Sequence, residues 1–351
     1  MNLERFLLQQ AAMHKNFQMR DAVKMSFQAS FGAEHLLADT EAAARYLHQE
    51  FEETPALDQA LYEQIADDVY RINIGAWKKM HLPEAWLLRL FVTSAQSHAA
   101  NIDRAAGEAA FLARLDIVSK LAKEEKLPFC AEDWETFKAE YLAGGIRAVH
   151  HSDIYRETNR PAYRVVSGPM CRMLPIFERI QTDEPFVIAI DGRCASGKTT
   201  LAENLCHVLD VDAVHMDDFF LPPALRTVER LAESGGNVHY ERFAVEVLPH
   251  LKNSAPFCYQ RFDCSRMELG KMVQIRQNPI RVVEGSYSHH EIFGNYADLR
   301  VACDIAPDAQ MERIVARDGE EYSQVFRDKW IPMEEKYFSA MQIYRKADLI
   351  L

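Results

Sequence analysis

Lys198 and Thr199 close the string Gly192-Arg193-Cys194-Ala195-Ser196-Gly197-Lys198-Thr199, which meets the phosphate-loop pattern G-x-x-x-x-G-K-[ST]. In such a loop, backbone N–H groups and a helix N-terminus converge on a polyphosphate, and the helix dipole favours the anion. Lys198 would reach the outer phosphates, and the Thr199 hydroxyl would ligate Mg²⁺. Acids stand downstream where they can serve that chemistry. Asp217 and Asp218 follow the short apolar run Val211–His215, and Glu284-Gly285 closes Ile280–Val283. A carboxylate at such a strand end can take the proton of an attacking hydroxyl or hold Mg²⁺ through water. Arg313, Arg317 and Lys329 are candidate phosphate clamps, although basic residues on helices more often form solvated faces.

The elements around these residues fit the same chemistry. Phe186-Val187-Ile188-Ala189-Ile190 is a short, β-branched apolar run, as expected of a buried parallel strand. After the loop, Leu201, Leu205 and Val208 recur at helical spacing. Further strands are expected at Val211–His215, Pro279–Glu284, Leu299–Ile305 and Ala347–Leu351, with helices between them. Open parallel sheets bind ligands beyond the carboxyl ends of their strands, which is where all of the acids fall. Pro256 to Arg266 mixes aromatic and basic residues, a composition suited to a planar or hydroxylated substrate or to a hairpin packed on the core.

Residues 1–180 read instead as an all-α domain. Thr40 precedes a run of good helix formers, Pro83 opens an apolar helix, and Phe111, Leu115, Val118 and Ala122 form a stripe. Gly144-Gly145 is a stop signal. Two stretches break the pattern, one around Glu34-His35 and one around His150-His151-Ser152-Asp153. These residues could gather into a metal or ligand site, or they are helix-end histidines with interhelical hydrogen bonds. No H-x-x-x-H spacing forces the first reading. A polar break, Gln181 to Pro185, sets the expected boundary, with an α/β domain at 181–351.

Composition bounds the function. The chain has 351 residues, 48% hydrophobic and 26% charged, the length of about two domains. A net charge of −12 argues against a general nucleic-acid or membrane binder. No apolar run nears the ~20 residues that span a bilayer, and the N-terminus carries no signal-peptide pattern. Seven scattered cysteines without a C-x-x-C pair suit reduced thiols in a cytoplasmic protein, and Cys194 reads as a small loop filler.

Taken together, residues 185 to 351 resemble the uridine kinase and phosphoribulokinase-like group of P-loop kinases, which includes nicotinamide riboside kinase. The resemblance rests on Gly192 to Thr199, on Asp217-Asp218-Phe219-Phe220, on Val282-Val283-Glu284-Gly285 and on the closing Ala347 to Leu351. Pro256-x-x-Tyr259-x-x-Phe262-x-x-Ser265-Arg266 is similar to a uridine kinase segment, with Gln260 and Cys264 replacing its aspartate and histidine. The resemblance implies a five-stranded parallel sheet with helices on both faces, and ATP and Mg²⁺ as cofactors. Gly192, Cys194, Ala195, Ser196, Gly197, Lys198, Thr199 and Thr200 would hold the nucleotide, and Thr199, Glu284 and Asp217 the metal. Asp217 would be the general base, with Lys198, Arg313 and Arg317 assisting. Asp218, Phe219, Tyr240, Tyr259 and Arg266 would line the acceptor side. The implied partner besides ATP is a nucleoside-like or sugar-like acceptor, with no nucleic acid and no membrane; a homodimer is compatible with the chain. The altered segment and a short lid between Arg317 and Tyr322 leave the acceptor open. Rival readings are a nucleotide-dependent switch, without the N-K-x-D guanine motif, and a two-activity protein whose helical half binds or processes the ligand.

Overall fold

The computed structural model describes residues 3–14, 16–32, 40–101 and 103–351. The chain divides into two compact units, Met1–Leu174 and Pro175–Leu351.

Helices make up most of the first unit, among them Leu3–Met13, Met19–Phe31, Thr40–Glu53, Glu84–Asn101, Arg104–Lys123 and Ala131–Ala143. Their starts follow local chemistry: the Asp103 carboxylate accepts the Ala105 and Ala106 amides, and Ser152 caps the short helix Asp153–Asn159. The apolar stripe Phe111, Leu115 and Val118 is fully buried, together with Phe6 and Trp134. Edge-on and tilted ring contacts link Phe111 to Phe27, Phe31 and Tyr141. The expectation of an all-α domain needs one correction. Tyr62–Ala66 (β1), Val69–Asn73 (β2) and Tyr163–Ser167 (β3) form an antiparallel sheet in the order β1-β2-β3. The first two join at Asp67-Asp68, where Asp68 takes a left-handed φ of 55°. Their strands are only five residues long, and β3 comes from far along the chain, so no local hairpin pattern announces the sheet.

The second unit is built on a parallel sheet. Phe186–Gly192 (β4), Ala213–His215 (β5), Ile280–Glu284 (β8), Leu299–Cys303 (β9) and Leu349–Ile350 (β10) lie in the order β10-β9-β4-β8-β5. Every residue of β4 and of β8 is buried, as the sheet's centre requires when helices cover both faces. Between β5 and β8, Phe257–Asp263 (β6) and Glu268–Ile275 (β7) pair as a separate antiparallel ribbon, so the aromatic and basic segment is a hairpin. After β9 come helices Pro307–Asp318 and Glu320–Val325, a π-helical turn Phe326–Trp330, and helix Ile331–Met341.

The strand order locates the working end. From β4 the chain goes out to β5, returns to β8 beside β4, then crosses to β9 on the other side. Connections leaving the two flanks of β4 therefore diverge, which opens a crevice beyond its carboxyl end. The string Arg193–Gly197 occupies that crevice.

Candidate active site

The loop is wound by two left-handed residues, Ala195 at φ 59° and Gly197 at φ 86°, the second capping helix Lys198–Leu209. Gly192 has no alternative: at φ 140°, an added Cβ would sit 2.1 Å from the Cys303 carbonyl oxygen. Side chains hold the loop from outside. Glu334 accepts the Cys194 amide at 2.9 Å and the Ser286 hydroxyl at 2.8 Å. Gln310 donates to the Cys194 carbonyl at 3.0 Å, and Arg313 to the Ala195 carbonyl at 3.1 Å. Arg193 reaches Glu335 and Asp304 and lies over the Tyr344 ring. The first amides of helix Lys198–Leu209 have no intrahelical acceptor, as at any helix start, and they face the crevice with the dipole behind them.

Beneath the loop, buried Asp191 accepts four donors: the amides of Gly192, Tyr287 and His289 and the Tyr337 hydroxyl. It thus joins the loop to the segment after β8 and to helix Ile331–Met341. Neither Asp191 nor Glu334 was assigned a role by sequence reasoning. Asp191 stood beside the motif, but Glu334 lies in a helix with no local signal of its task.

The acids meet the motif as the strand ends dictate. Glu284 pairs in register with Ile190 on one side and His215 on the other. Its Oε1 accepts the Thr199 hydroxyl and its Oε2 the His215 Nδ1–H, both at 2.9 Å. Burial would raise the Glu284 pKa, yet the His215 bond and the Lys198 charge outweigh it and hold the carboxyl below its ordinary value. The same bond raises the pKa of His215. Asp217 opens onto the cleft, but the surrounding protein pushes its carboxyl above the usual range against the attraction of Lys198. Lys198 thus acts on both acids, while its only hydrogen bond among the described residues is a long one, 3.4 Å to the Arg193 carbonyl. A cleft of about 650 Å³ runs past Thr199, His215, Asp217, Asp218, Arg261 and Glu284.

Other expected residues fall differently. Phe219 is fully buried against Phe243 and Tyr259 and offers no face to a ligand. Tyr259 is 1% exposed and donates its hydroxyl to Asp218 at 2.7 Å, while Arg261 pairs with the same carboxylate at 3.0 Å. Asp218 therefore has both oxygens engaged by protein. Tyr240 bonds Glu233 and carries the Arg230 guanidinium over its ring, which ties a loop together. Arg266 is exposed on the hairpin turn, its amide donating to Asp263 at 3.3 Å and its guanidinium 3.9 Å from Glu268. Arg317 is paired with its neighbour Asp318, within the field of Asp217, and Lys329 lies over Trp330. Burial pushes the Cys194 thiol up to about 12, so it fills space rather than reacts. Thr200 stands exposed in the helix's first turn.

The donor set fits the groups the motif implies. An ammonium and a helix N-terminus suit a polyphosphate, and a hydroxyl beside carboxylates offers the hard oxygens Mg²⁺ prefers. Among the described residues, no group of three or more His, Cys, Asp or Glu could hold a metal alone. Mg²⁺ commonly takes only one or two protein ligands beside phosphate and water. In the first unit, Glu34 and His35 lie outside the described residues; His151 is buried on Asp21, and His150 is exposed.

No family model and no curated protein matches the sequence. The fold is similar to that of solved proteins described as kinases. One is described as a possible uridine kinase from Bacillus stearothermophilus, at 19% identity and TM-score 0.41, covering 52% of this chain and 96% of that one. Another, provisionally named a fructose transport system kinase, comes from a Silicibacter species, at 18% identity and TM-score 0.44, covering 52% and 97%. A third is shikimate kinase from Bacteroides thetaiotaomicron, at 16% identity and TM-score 0.26, covering 47% and 85%. No helix among the described residues is long and apolar enough to cross a membrane.

Proposed function

We propose that the Pro175–Leu351 unit is a cytoplasmic kinase that uses ATP and Mg²⁺ to phosphorylate a hydroxyl of a small, nucleoside-like or sugar-like metabolite. One observation carries the reading: Lys198, Thr199, Glu284 and Asp217, from three separate strand ends, share one electrostatic site at the switch point of the sheet. Lys198, with the amides from Ala195 to Thr200, would hold the polyphosphate, and Thr199 and Glu284 would hold Mg²⁺. Bound there, ATP supplies the phosphoryl group and Mg²⁺ neutralises its charge.

The chain's own residues supply position and proton handling. Asp217 Oδ accepts the proton of the acceptor hydroxyl, and its proximity to Lys198 favours the ionised form this needs. His215 fixes the Glu284 carboxylate so that Oε1 stays with Thr199. Arg313, tethered to the Ala195 carbonyl, stands where a cation could neutralise charge on the transferring group. Asp218 acts through Tyr259 and Arg261, fixing the hairpin beside the cleft rather than meeting the acceptor.

A metabolite library screened for ATP-dependent phosphorylation tests the proposal. One chemical class of hydroxyl compound should accelerate ADP release and gain a phosphate. ATP consumption that no acceptor accelerates would favour a switch instead.

A further inference from the structure

Polar residues seldom fill one face of a buried helix, yet helix Met19–Phe31 turns Asp21, Lys24 and Gln28 to one side at i, i+3 and i+7. Asp21 and Gln28 are 0% and 3% exposed, and Lys24 is half-buried. Opposite stand Arg71 of β2 and Tyr163 of β3, on the same face of the small sheet because Arg71 pairs with Val165 and Asn73 with Tyr163. The segment before helix Asp153–Asn159 adds His151 and Ser152. Four stretches of chain thus deliver charge and hydroxyls to one place.

Their contacts sort the cluster into a satisfied half and an open half. Asp21 receives His151 Nδ1–H at 2.7 Å, the Ser152 amide at 3.0 Å, the Ser152 hydroxyl at 2.8 Å and the Gln18 amide at 3.0 Å. Both of its oxygens are therefore engaged by protein donors. With Nδ1–H committed to Asp21, His151 Nε2 accepts the Tyr163 hydroxyl at 2.9 Å, and Tyr155 stacks on the imidazole at 4.3 Å. The Tyr163 hydroxyl also lies 3.3 Å from Gln28 Oε1, so its O–H is engaged by the protein.

The cations are less well supplied. Arg71 donates to Gln28 at 2.8 Å and lies 4.2 Å over the Tyr163 ring and 4.9 Å over Phe6; Glu63 is 3.9 Å away. Its buried Nε–H has no acceptor. Lys24 has no hydrogen-bond or ion-pair partner among the described residues, and burial together with Arg71 depresses its pKa to about 8. An unsatisfied buried donor costs stability that an apolar core would not forfeit. Such a combination of a desolvated, unpaired ammonium and a buried guanidinium with an orphaned N–H is what an anion site looks like before its ligand arrives.

We propose that this face of the first unit is a second ligand site, which takes a small carboxylate or phosphate compound between Lys24 and Arg71. Tyr163, held by His151 and through it by Asp21, is a positioning residue: its ring carries the Arg71 guanidinium, and its hydroxyl does not touch the ligand. The site stands independently of the kinase reading of the second unit.

Competitive acylation of the lysines in the intact chain, read peptide by peptide, tests it with a local signal that phosphate at the Lys198 loop does not disturb. Inorganic phosphate and malonate serve as probes. Whichever fits should slow Lys24 modification saturably, about tenfold at ten times its Kd, while Lys123 and Lys252 are unaffected. The more effective probe identifies the ligand as phosphate-bearing or carboxylate-bearing. Protection should disappear in Arg71→Gln and persist in Tyr163→Phe, which keeps the ring on which Arg71 rests. A Lys24 rate unmoved by either anion in the unmutated chain overturns the proposal. So does protection that survives Arg71→Gln in folded protein.

Discussion

Replacing Lys198 by methionine separates binding from folding without any knowledge of the acceptor. The ammonium has one long hydrogen bond in the protein, so its loss should change the stability of the nucleotide-free chain by less than about 0.5 kcal/mol. Its contact with a polyphosphate is charge-assisted and worth roughly 2–3 kcal/mol, about a hundredfold in affinity. At an ATP·Mg²⁺ concentration near a hundred times Kd, the unmutated chain gains about 2.7 kcal/mol. For a unit the size of Pro175–Leu351, that raises its melting transition by roughly 5–11 °C. In Lys198→Met the same concentration only matches Kd, leaving about 0.4 kcal/mol and a shift near 1–2 °C. Calorimetry with ATP, with and without Mg²⁺, reads both values. An equal shift in the two proteins, or none in the unmutated one, would refute the assignment of Gly192 to Thr199 as a nucleotide loop.

Asp217→Asn should lower turnover roughly 10²–10⁴-fold with unchanged melting, because the carboxylate has no hydrogen-bond partner among the described residues; steady-state kinetics with the identified acceptor checks this. Because Asp217 must be ionised to act and its pKa is raised, kcat should climb with pH through a value above 3.8, and Asp217→Asn should abolish that limb. Gly192→Ala forces a Cβ against the Cys303 carbonyl and should cost roughly 3 kcal/mol, seen as a lowered denaturation midpoint. In the first unit, burial holds His151 neutral, with a pKa near 4 against an ordinary 6.5. The unfolded chain therefore binds a proton that the folded one refuses. The stabilisation is complete above pH 6.5 and fades as pH falls through 4, by on the order of 3 kcal/mol. Fluorescence of Trp77, Trp86 and Trp134 during acid titration should follow this loss, and His151→Gln should flatten it.

Where the candidate site lies in contiguous chain, its layout was legible in the sequence. The run Phe186 to Ile190, the loop and its helix are neighbours in sequence, and the strand-ending acids Asp217 and Glu284 follow from where parallel strands must point. Aromatic residues misled for the converse reason. Phe219 and Tyr259 look like ligand contacts as residue types, but whether such rings face a cleft or a core is decided by Phe243 and by the turn of the hairpin, which no local spacing encodes. Glu334 was illegible because its partner, the Cys194 amide, becomes an orphan only once the loop is wound.

The first unit carries the same lesson further. Its helical periodicity was readable, but β2 and β3 pair across most of the unit's length, and only that pairing sets Arg71 beside Tyr163. His151 looked like a helix-end histidine or a metal ligand because its neighbours in sequence are His150 and Asp153. Its neighbours in space are Asp21 and Tyr163: it stands just before the N-cap of helix Asp153–Asn159 and bonds helix Met19–Phe31, as the helix-end reading expected. Asp21, Lys24 and Gln28 were hidden by a related effect: polar residues at helical spacing ordinarily mark the solvent face, and here that face is turned inward. An inverted face is costly to fold around. Its retention beside an unpaired ammonium and an orphaned guanidinium N–H is understood most simply if something anionic completes it.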